Sequence, residues 1–270
     1  MQALRHFLLA VQFFSRIPIT GRLAAWVGWS PALQRASAAH LPGVGWLVGL
    51  WAAAIVFACN YLLAEHPMLP WVAAVLSTVG TLCITGGFHE DGLADVADGL
   101  GGHLPAERAL EVMKDSRVGA YGVMALCTGL IAKVVFVALL VHIHVAAAAL
   151  LLCSIHVLSR AAPMALMQQL PHVSLPATSK TLYIAGQALG WQGLVTGLLW
   201  CVPALVALHI YLGAFLVLLL LGICAAVTGY MGWRFHRRLG GMTGDCLGAT
   251  QQMCELAMYL GAGLLLVRYL

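Results

Sequence analysis

The sequence predicts an all-helical integral membrane protein, and three features of its composition support that fold class. Hydrophobic residues make up 61% of the chain and charged residues only 9%, and the mean hydropathy is +0.91. Soluble domains are usually about half apolar and about a quarter charged. Because backbone polar groups inside a bilayer must be satisfied within the protein, apolar runs of about 20 residues are predicted to cross as helices.

Seven apolar runs are long enough to cross a bilayer. In chain order they cover residues 40–63, 67–87, 118–141, 144–167, 191–212, 213–233 and 247–267. The stretch 1–22 comes before them, and its apolar run is interrupted by Arg16 and Pro18 with no small-residue cleavage site after it. It is therefore predicted to be an uncleaved interfacial helix and not a signal peptide. One membrane-embedded domain accounts for residues 1–270.

The basic residues predict which face of the membrane domain is cytoplasmic. When the seven runs are threaded in order, nearly all arginines and lysines outside them fall on one side, with Arg268 as the exception. The positive-inside rule makes that side cytoplasmic. Nearly all acids fall there too, so function is expected at the cytoplasmic face. The eight cysteines form no CxxC pair, which predicts buried thiols and neither a disulfide frame nor a zinc site.

An acidic segment, "GGFHEDGLADVADGLGG", follows the second apolar run at residues 86–102. Asp91, Asp95 and Asp98 are spaced i, i+4, i+7, which places them on one face of a helix. Their mutual repulsion would be removed by a divalent cation, and such oxygen ligands suit magnesium or manganese. Glu90 lies in the same run, and His89 is either a ligand or proton carrier or a side chain that orients an acid.

The alternative for this segment is a solvated acidic helix face beside the membrane. Its acids are not interleaved with lysines, however, and glycines surround them. Glycine permits close approach of a ligand and destabilises a helix by up to about 1 kcal/mol per residue, which a purely structural helix would avoid. This composition favours the ligand-binding interpretation.

Two later segments have the composition of phosphate-binding loops. "KDSRVGAYG" supplies Lys114, Asp115, Ser116 and Arg117, and "RRLGGMTGDCLGA" supplies Arg237, Arg238, Gly240, Gly241, Thr243, Gly244 and Asp245. Free N–H groups at a helix start favour phosphate, and arginine can bind it through two hydrogen bonds. The alternative is a glycine-rich turn with arginines placed by the positive-inside rule.

Three charged residues fall within apolar runs. Glu255, Lys133 and Arg160 would lie at membrane depth, where ionisable groups are costly and commonly functional. Arg160 could instead pair with an acid or extend toward the interface. Taken together, acids for a metal, arginines and glycines for phosphate and a membrane setting predict phosphoryl transfer near the bilayer.

The same segments resemble a known family. "GGFHEDGLADVADG", "MKDSRVGAYG" and "GGMTGDCLGA" resemble, in this order and at comparable separations, the signature segments of cobalamin synthases, the adenosylcobinamide-GDP ribazoletransferases of bacterial vitamin B12 assembly. "FFSRIPI" and "LPGVGWLVG" are also similar to that family, so the resemblance spans nearly the whole chain. It implies a magnesium-dependent enzyme of the cell inner membrane with its site on the cytoplasmic face.

The resemblance also implies a reaction and its partners. A hydroxyl of α-ribazole, or of its 5′-phosphate, would attack the cobinamide-side phosphorus of adenosylcobinamide-GDP and expel GMP, giving adenosylcobalamin or its 5′-phosphate. The expected partners are that corrinoid nucleotide, α-ribazole and the lipid bilayer, with no nucleic acid. A homo-oligomer or an association with other cobalamin-assembly enzymes is compatible with this expectation.

Residue roles follow from the matched motifs. The resemblance implies that Asp91, Asp95 and Asp98 bind metal, with Asp115 and Asp245 as further ligands or as the base for the hydroxyl. Arg117 would hold phosphate, and Thr243 and its neighbouring glycines would contact the nucleotide. The remaining candidates are Glu90 and Asp245 for metal and His89, Lys114, Ser116, Arg238, Gly240, Gly241 and Gly244 for substrate or phosphate.

Two rival classes are weighed against this resemblance. Membrane phosphotransferases of the CDP-alcohol type also use acids and a metal, but their motif places an Ala-Arg pair soon after its first Asp-Gly, and "DGLADVADG" has no such arginine. A cation transporter would need acids at mid-depth in several spans, whereas nearly all acids here fall near the predicted cytoplasmic rim.

Overall fold

The apolar runs form long helices, and most of the polar segments between them form short helices and turns. The computed structural model describes residues 1–173 and 188–269. In chain order its helices are α1 (Gln2–Phe14), α2 (Gly21–Val27), α3 (Pro31–Ser37), a 3₁₀ turn (Ala38–His40), α4 (Leu41–Leu63), α5 (Leu69–Thr85), α6 (Phe88–Gly101), α7 (Ala106–Val112), α8 (Ala120–Ile143), α9 (Val145–Ser159), α10 (Ala162–Gln169), α11 (Gly190–Leu212), α12 (Ala214–Leu239) and α13 (Gly244–Tyr269). The predicted all-helical membrane fold is confirmed.

The number of membrane spans is smaller than the seven predicted. Five helical stretches in the described ranges are long and apolar enough to cross a membrane, and the bent pair α5–α6 would raise the number to six. Each predicted run is helical, including the last one. Helix α13 is not among the spans because Asp245, Gln251, Gln252 and Glu255 reduce its apolar character.

The break between α5 and α6 sets the direction of the acidic segment. The two helix axes differ by 89°, and the turn is made by Gly86 and Gly87, with φ of 70° and 68°. Residues with side chains rarely adopt this left-handed conformation, so consecutive glycines suit the turn. Helix α5 lies within the predicted second run, residues 67–87, and α6 begins directly after that run ends.

The central helices pack closely through small residues. Gly45 and Gly49 of α4 form a GxxxG pair that faces α9, where a Cβ on Gly45 would overlap the carbonyl of His156 and one on Gly49 would lie 2.6 Å from the Cα of Cys153. Such pairs let helix backbones approach each other in a membrane. Leu151 of α9 is completely buried as a result.

The N-terminal segment is helical as predicted. Helix α1 buries Leu9, Ala10, Val11 and Phe14 on one face, and these side chains share a core cluster with residues of α4, α6 and α13. The predicted location of α1 at the membrane interface stays a prediction. Five of the eight cysteines are buried, Cys224 is partly exposed, and Cys83 and Cys127 are exposed.

Candidate active site

Helix α6 carries the predicted aspartate stripe. Asp91 is exposed and Asp95 and Asp98 are half-buried, whereas Val96 and Leu100 face the interior and are 8% and 4% exposed. The helix is therefore amphipathic, with the three aspartates on its more open side. The predicted helical spacing of these residues is confirmed.

Asp98 joins the acidic segment to the second motif. One carboxylate oxygen accepts a hydrogen bond from the backbone N–H of Gly119 at 2.7 Å, and the other accepts from Gly122 at 2.8 Å. These donors begin α8 and would otherwise lack helical partners, so Asp98 caps that helix. A Cβ on Gly122 would overlap the same carboxylate, which explains a glycine at this position.

The third motif meets α6 at a close crossing of two helices. A Cβ added to Gly92 would lie 2.7 Å from the backbone oxygen of Asp245, and one added to Gly248 would lie 3.3 Å from the Cα of His89. The missing side chains allow the start of α13 to rest against α6. Asp245 is thereby brought beside the aspartate stripe.

Thr243 organises the start of α13. Its hydroxyl oxygen accepts from the N–H of Cys246 at 3.3 Å, as expected of an N-cap, and lies 3.3 Å from a carboxylate oxygen of Asp245, to which it can donate. Thr243 is 6% exposed. Thr243 therefore orients Asp245 through a hydrogen bond. The contact with the nucleotide that the resemblance implied for Thr243 stays a prediction.

The clustered aspartates interact electrostatically. Burial, together with repulsion by Asp245, Asp91 and Asp98, raises the pKa of Asp95 to about 7. Burial also raises the pKa of Asp245, an effect that the Thr243 hydroxyl opposes and that the Asp91 charge reinforces. Both shifts mean that the stripe and Asp245 share one region in which negative charge is poorly compensated.

In the "KDSR" segment, Lys114 approaches the same region, whereas Asp115 and Arg117 pair with each other. The charge of Lys114 is close enough to favour ionised Asp245. Arg117 instead donates to both carboxylate oxygens of Asp115, at 3.0 Å and 2.6 Å, and these hydrogen bonds lower the pKa of Asp115 to about 2. Ser116 is exposed.

Arg238 and the adjacent glycines have structural partners. The Arg238 guanidinium donates to the backbone oxygen of Gly102 at 2.9 Å and more weakly to that of Leu104 at 3.5 Å, which stabilises the end of α6. Gly240 ends α12 with φ of 73°. A Cβ on Gly241 would overlap the carbonyl of Pro171.

The loop after α10 rests on the third motif. The N–H of Met242 donates to Pro171 at 2.9 Å, and the N–H of Val173 donates to Met242 at 2.8 Å. The continuation of this loop, at residues 174–187, lies outside the described residues.

The acidic side chains do not form a preassembled metal cage. Within residues 1–173 and 188–269, no group of three His, Cys, Asp or Glu side chains is placed to hold a metal ion. The donor set still suits a hard cation, because Asp91, Asp95, Asp98 and Asp245 supply only carboxylate oxygens and raise one another's affinity for positive charge. Metal binding stays a prediction.

Comparison with known proteins identifies the family. The cobalamin-5-phosphate synthase family matches residues 6–263 of the chain. Relatives named adenosylcobinamide-GDP ribazoletransferase include one from Polaromonas sp. (strain JS666 / ATCC BAA-500), 49% identical over 96% of both chains. Those from Polaromonas naphthalenivorans and Leptothrix cholodnii are 48% and 41% identical and cover 97% and 95% of this chain, and 98% and 94% of their own lengths. No solved structure matches.

The chain belongs to the cobalamin-5-phosphate synthase family. The resemblance noted in the sequence is thus confirmed, and membership makes the chain a membrane-embedded transferase of cobalamin synthesis.

In this member of the cobalamin-5-phosphate synthase family, Glu90 lies apart from the neighbouring aspartate stripe. It is 7% exposed and accepts a hydrogen bond from the amide of Gln252 at 3.0 Å. The ammonium of Lys133 lies 3.9 Å from the same oxygen. Adjacent helical residues differ by about 100° in direction, so Asp91 and Glu90 face different surroundings. The assignment of Glu90 to metal stays a prediction.

The charged residues of the apolar runs form one buried network with Glu90. Glu255 is completely buried, and one of its oxygens lies 2.7 Å from the ammonium of Lys133. Its other oxygen accepts from the amide of Gln251 at 2.6 Å and lies 3.2 Å from Nδ1 of His156. This pairing accounts for the presence of Glu255 and Lys133 inside the bundle, and a functional role for them stays a prediction.

Arg160 extends the network on α9. Its guanidinium donates to the backbone oxygen of His156 at 2.9 Å and lies 3.2 Å from Nδ1 of the same residue. The side chain is 1% exposed, so Arg160 is enclosed by the protein. His89 is 2% exposed and packs edge-on against Phe88, which places it inside the bundle.

Sequence reasoning missed the two glutamines of this network. Gln251 and Gln252 donate to Glu255 and Glu90, respectively, and so join α13 to itself and to α6. Their position in the sequence could have revealed them, because Gln251 and Gln252 are adjacent amides inside a largely apolar run. Polar side chains within a membrane bundle need hydrogen-bond partners.

Proposed function

We propose that the region where α6, the start of α8 and the start of α13 meet, here called the aspartate site, transfers cobinamide phosphate from adenosylcobinamide-GDP to α-ribazole or α-ribazole 5′-phosphate. A hydroxyl oxygen of the ribazole forms a bond to the cobinamide-side phosphorus. The bond from that phosphorus to the bridging oxygen of the diphosphate breaks, and GMP leaves. The names of the family and its relatives support this substrate pair.

The observation that carries the proposal is the meeting of three motifs from distant parts of the chain. Asp98 binds the start of α8, and Gly92 of the same helix contacts the backbone of Asp245 at the start of α13. An acidic helix with only a structural role would not need the starts of both α8 and α13 to lie so close to it. Phosphoryl transfer does require such positioning, because little covalent chemistry is left for the protein to perform.

Magnesium, or manganese in its place, is proposed to be held by Asp91, Asp95 and Asp98, with Asp245 beside them. When bound, such an ion neutralises charge on the diphosphate and on the leaving phosphate. Asp98 uses both oxygens on backbone N–H groups, but each carboxylate oxygen can accept a second contact. The raised pKa of Asp95, about 7, supports a need for a cation in this region.

The proton of the attacking hydroxyl is proposed to pass to Asp245. A carboxylate whose pKa is raised is a better base at neutral pH than one whose pKa is lowered. The pKa of Asp245 is raised, whereas that of Asp115 is lowered to about 2 by Arg117. Of the two aspartates considered for this role, Asp245 is therefore favoured, and Thr243 orients it.

The membrane is proposed to be the bacterial inner membrane, with the aspartate site on its cytoplasmic face. The segments Lys114–Arg117 and Arg234–Arg238 flank the site in sequence or in space and are rich in basic residues. Such segments are retained on the cytoplasmic side.

The proposal is tested by assaying purified protein with Mg²⁺, adenosylcobinamide-GDP and α-ribazole. We expect one GMP released per corrinoid converted, loss of activity with EDTA, and recovery when Mg²⁺ is added. Asp91→Asn should abolish turnover in folded protein, while Glu107→Gln, an exposed acid on α7, should leave it unchanged. Absence of GMP release together with CMP release from a CDP-alcohol would overturn the assignment.

A further inference from the structure

A polar cavity lies beside the aspartate site, between the end of α1 and the bend that joins α5 to α6. Its volume is about 560 Å³. Both the N-terminal segment and the acidic segment line it, with Gln12, Arg16, Thr85, Gly87, Glu90 and Asp91 among the lining residues. Asp91 therefore belongs to the aspartate site and to the edge of this cavity, here called the Arg16 cavity.

The chain holds Arg16 against the bend. Its backbone N–H donates to the carbonyl of Ile84 at 2.7 Å, and the preceding Ser15 hydroxyl donates to Val11 and accepts from Ile17. A Cβ on Gly86 would overlap the Nε of Arg16. The guanidinium thus lies directly over the glycine turn, and the glycine leaves room for it.

The guanidinium of Arg16 is available to a ligand. It is exposed, and in the part of the chain that the structure describes no carboxylate lies within salt-bridge distance of it. Arg117 and Arg238, which the sequence favoured for phosphate, are bound to Asp115 and to backbone carbonyls. Arg16 is better placed than either of them to accept an incoming anion.

Two further features of the cavity point to a ligand. Helix α6 begins there after Gly87 with no side-chain cap, so its first N–H groups can bind an anion. Glu90 also lines the cavity, is only 7% exposed, and has one oxygen, Oε2, without a hydrogen-bond partner among the described residues. Lys133 and Gln252 contact the other oxygen, so the acceptor capacity of Oε2, which is itself buried, is unused among the described residues.

We propose that the Arg16 cavity binds the diphosphate of the nucleotide-activated substrate. Arg16 and the first N–H groups of α6 donate to phosphate oxygens, Glu90 accepts from a hydroxyl or N–H group of the ligand, and Asp91 faces the cation that accompanies the diphosphate. This assignment rests on the proposed function and adds a specific site for one of its two substrates. Arginine suits this role because its planar guanidinium can donate two parallel hydrogen bonds to the oxygens of a phosphate.

The test compares Arg16→Ala and Arg16→Lys with Arg22→Ala, an exposed arginine of the same N-terminal region that does not line the cavity. Kinetics are measured in zwitterionic detergent without anionic lipid, so a lipid headgroup cannot supply the anion. We expect Arg16→Ala to raise the KM for adenosylcobinamide-GDP by about 10- to 100-fold, as loss of hydrogen bonds to a charged group predicts. The KM for α-ribazole should change less than about twofold.

Binding of Mg²⁺–GDP provides a second measurement that does not depend on turnover. Arg16→Ala should weaken it by a similar factor, Arg16→Lys should retain part of it because the charge remains, and Arg22→Ala should match the parent protein. If Arg16→Ala does not fold, Arg16→Lys and Arg16→Gln decide the question. Provided that the parent protein is active, either of two results would overturn the assignment. One is that Arg16→Ala changes the KM values of both substrates equally, and the other is that it binds Mg²⁺–GDP as tightly as the parent protein. An inactive parent protein would instead refute the proposed function.

Discussion

Replacement of Lys133 by Met should destabilise the bundle far more than removal of an exposed lysine or arginine. The Lys133 side chain is 3% exposed and that of Glu255 is 1% exposed, and their charged groups are 2.7 Å apart. The substitution keeps most of the aliphatic volume of Lys133 but leaves Glu255 with no ammonium partner. Glu90 loses a nearby positive charge at the same time.

The size of the effect follows from burial. Removal of one member of a buried ion pair usually costs about 3–5 kcal/mol, because the remaining charge stays in a medium of low polarity. The exposed pair Arg108–Glu111 provides the matched comparison, since its side chains are 64% and 49% exposed. An exposed pair three residues apart on a helix contributes only about 0.2–0.5 kcal/mol, so Arg108→Met should have a small effect.

Reversible unfolding in mixed micelles with increasing SDS, followed by circular dichroism, measures both free energies of unfolding. Lys133→Met should be less stable than Arg108→Met by at least about 2.5 kcal/mol, the difference between the lower and upper limits of the two ranges. Adding Glu255→Leu to Lys133→Met should recover part of the loss, since both charges are then absent. Equal stabilities of Lys133→Met and Arg108→Met would refute the argument that this network is a buried, charge-paired unit.

Three further substitutions test how the aspartate site is built. Gly92→Ala should lower kcat at least about tenfold although alanine favours helix, because its Cβ would lie 2.7 Å from the backbone oxygen of Asp245. Gly229→Ala is the control, since its Cβ would meet open space. Full activity of Gly92→Ala would contradict the close crossing of α6 and α13. Asp98→Asn should abolish GMP release and cost about 1–3 kcal/mol, because the amide keeps only one of the two acceptors used by Gly119 and Gly122. Assay and unfolding measure the two effects, and an active variant would remove Asp98 from the metal site. Arg238→Met should lower stability by about 1–3 kcal/mol with an unchanged KM for the nucleotide, whereas a raised KM in a fully stable protein would restore the phosphate role.

The helices and the aspartate stripe could be predicted because both depend on local sequence. Apolar runs of suitable length determine helices in a bilayer, and the i, i+4, i+7 spacing places Asp91, Asp95 and Asp98 together once the segment is helical. The number of spans was harder to predict. Helix α13 has the length of a span, but its glutamines and Glu255 have partners on α6, α8 and α9. Hydropathy cannot register partners from elsewhere in the chain.

The hydrogen-bond partners of the arginines could not be predicted, because a sequence gives charge without partners. The phosphate roles assigned to Arg117 and Arg238 stay predictions. Arg117 was favoured for phosphate, yet the nearby Asp115 binds it. Arg238 was assigned to the same task, yet it binds the end of a helix that lies far earlier in the chain. Arg16 belongs to a quoted motif, but its relation to Asp91 depends on the 89° bend between α5 and α6, which neither periodicity nor composition predicts.

The two faces of α6 differ in how their charges are compensated, and this difference supports a cationic ligand. On the inner side, the acids Glu90 and Glu255 are matched by the bases Lys133 and Arg160 of the same buried network.

On the outer side, burial and then the charges of Asp245, Asp91 and Asp98 raise the pKa of Asp95. Burial and the Asp91 charge raise the pKa of Asp245, and the charge of Lys114 opposes that rise. Glu90 and Glu255 thus each have a base close by, whereas the charged neighbours that shift the pKa of Asp95 are all acids. The excess negative charge at the aspartate site is therefore best explained by a function that brings positive charge with its substrate, as a magnesium-bound diphosphate would.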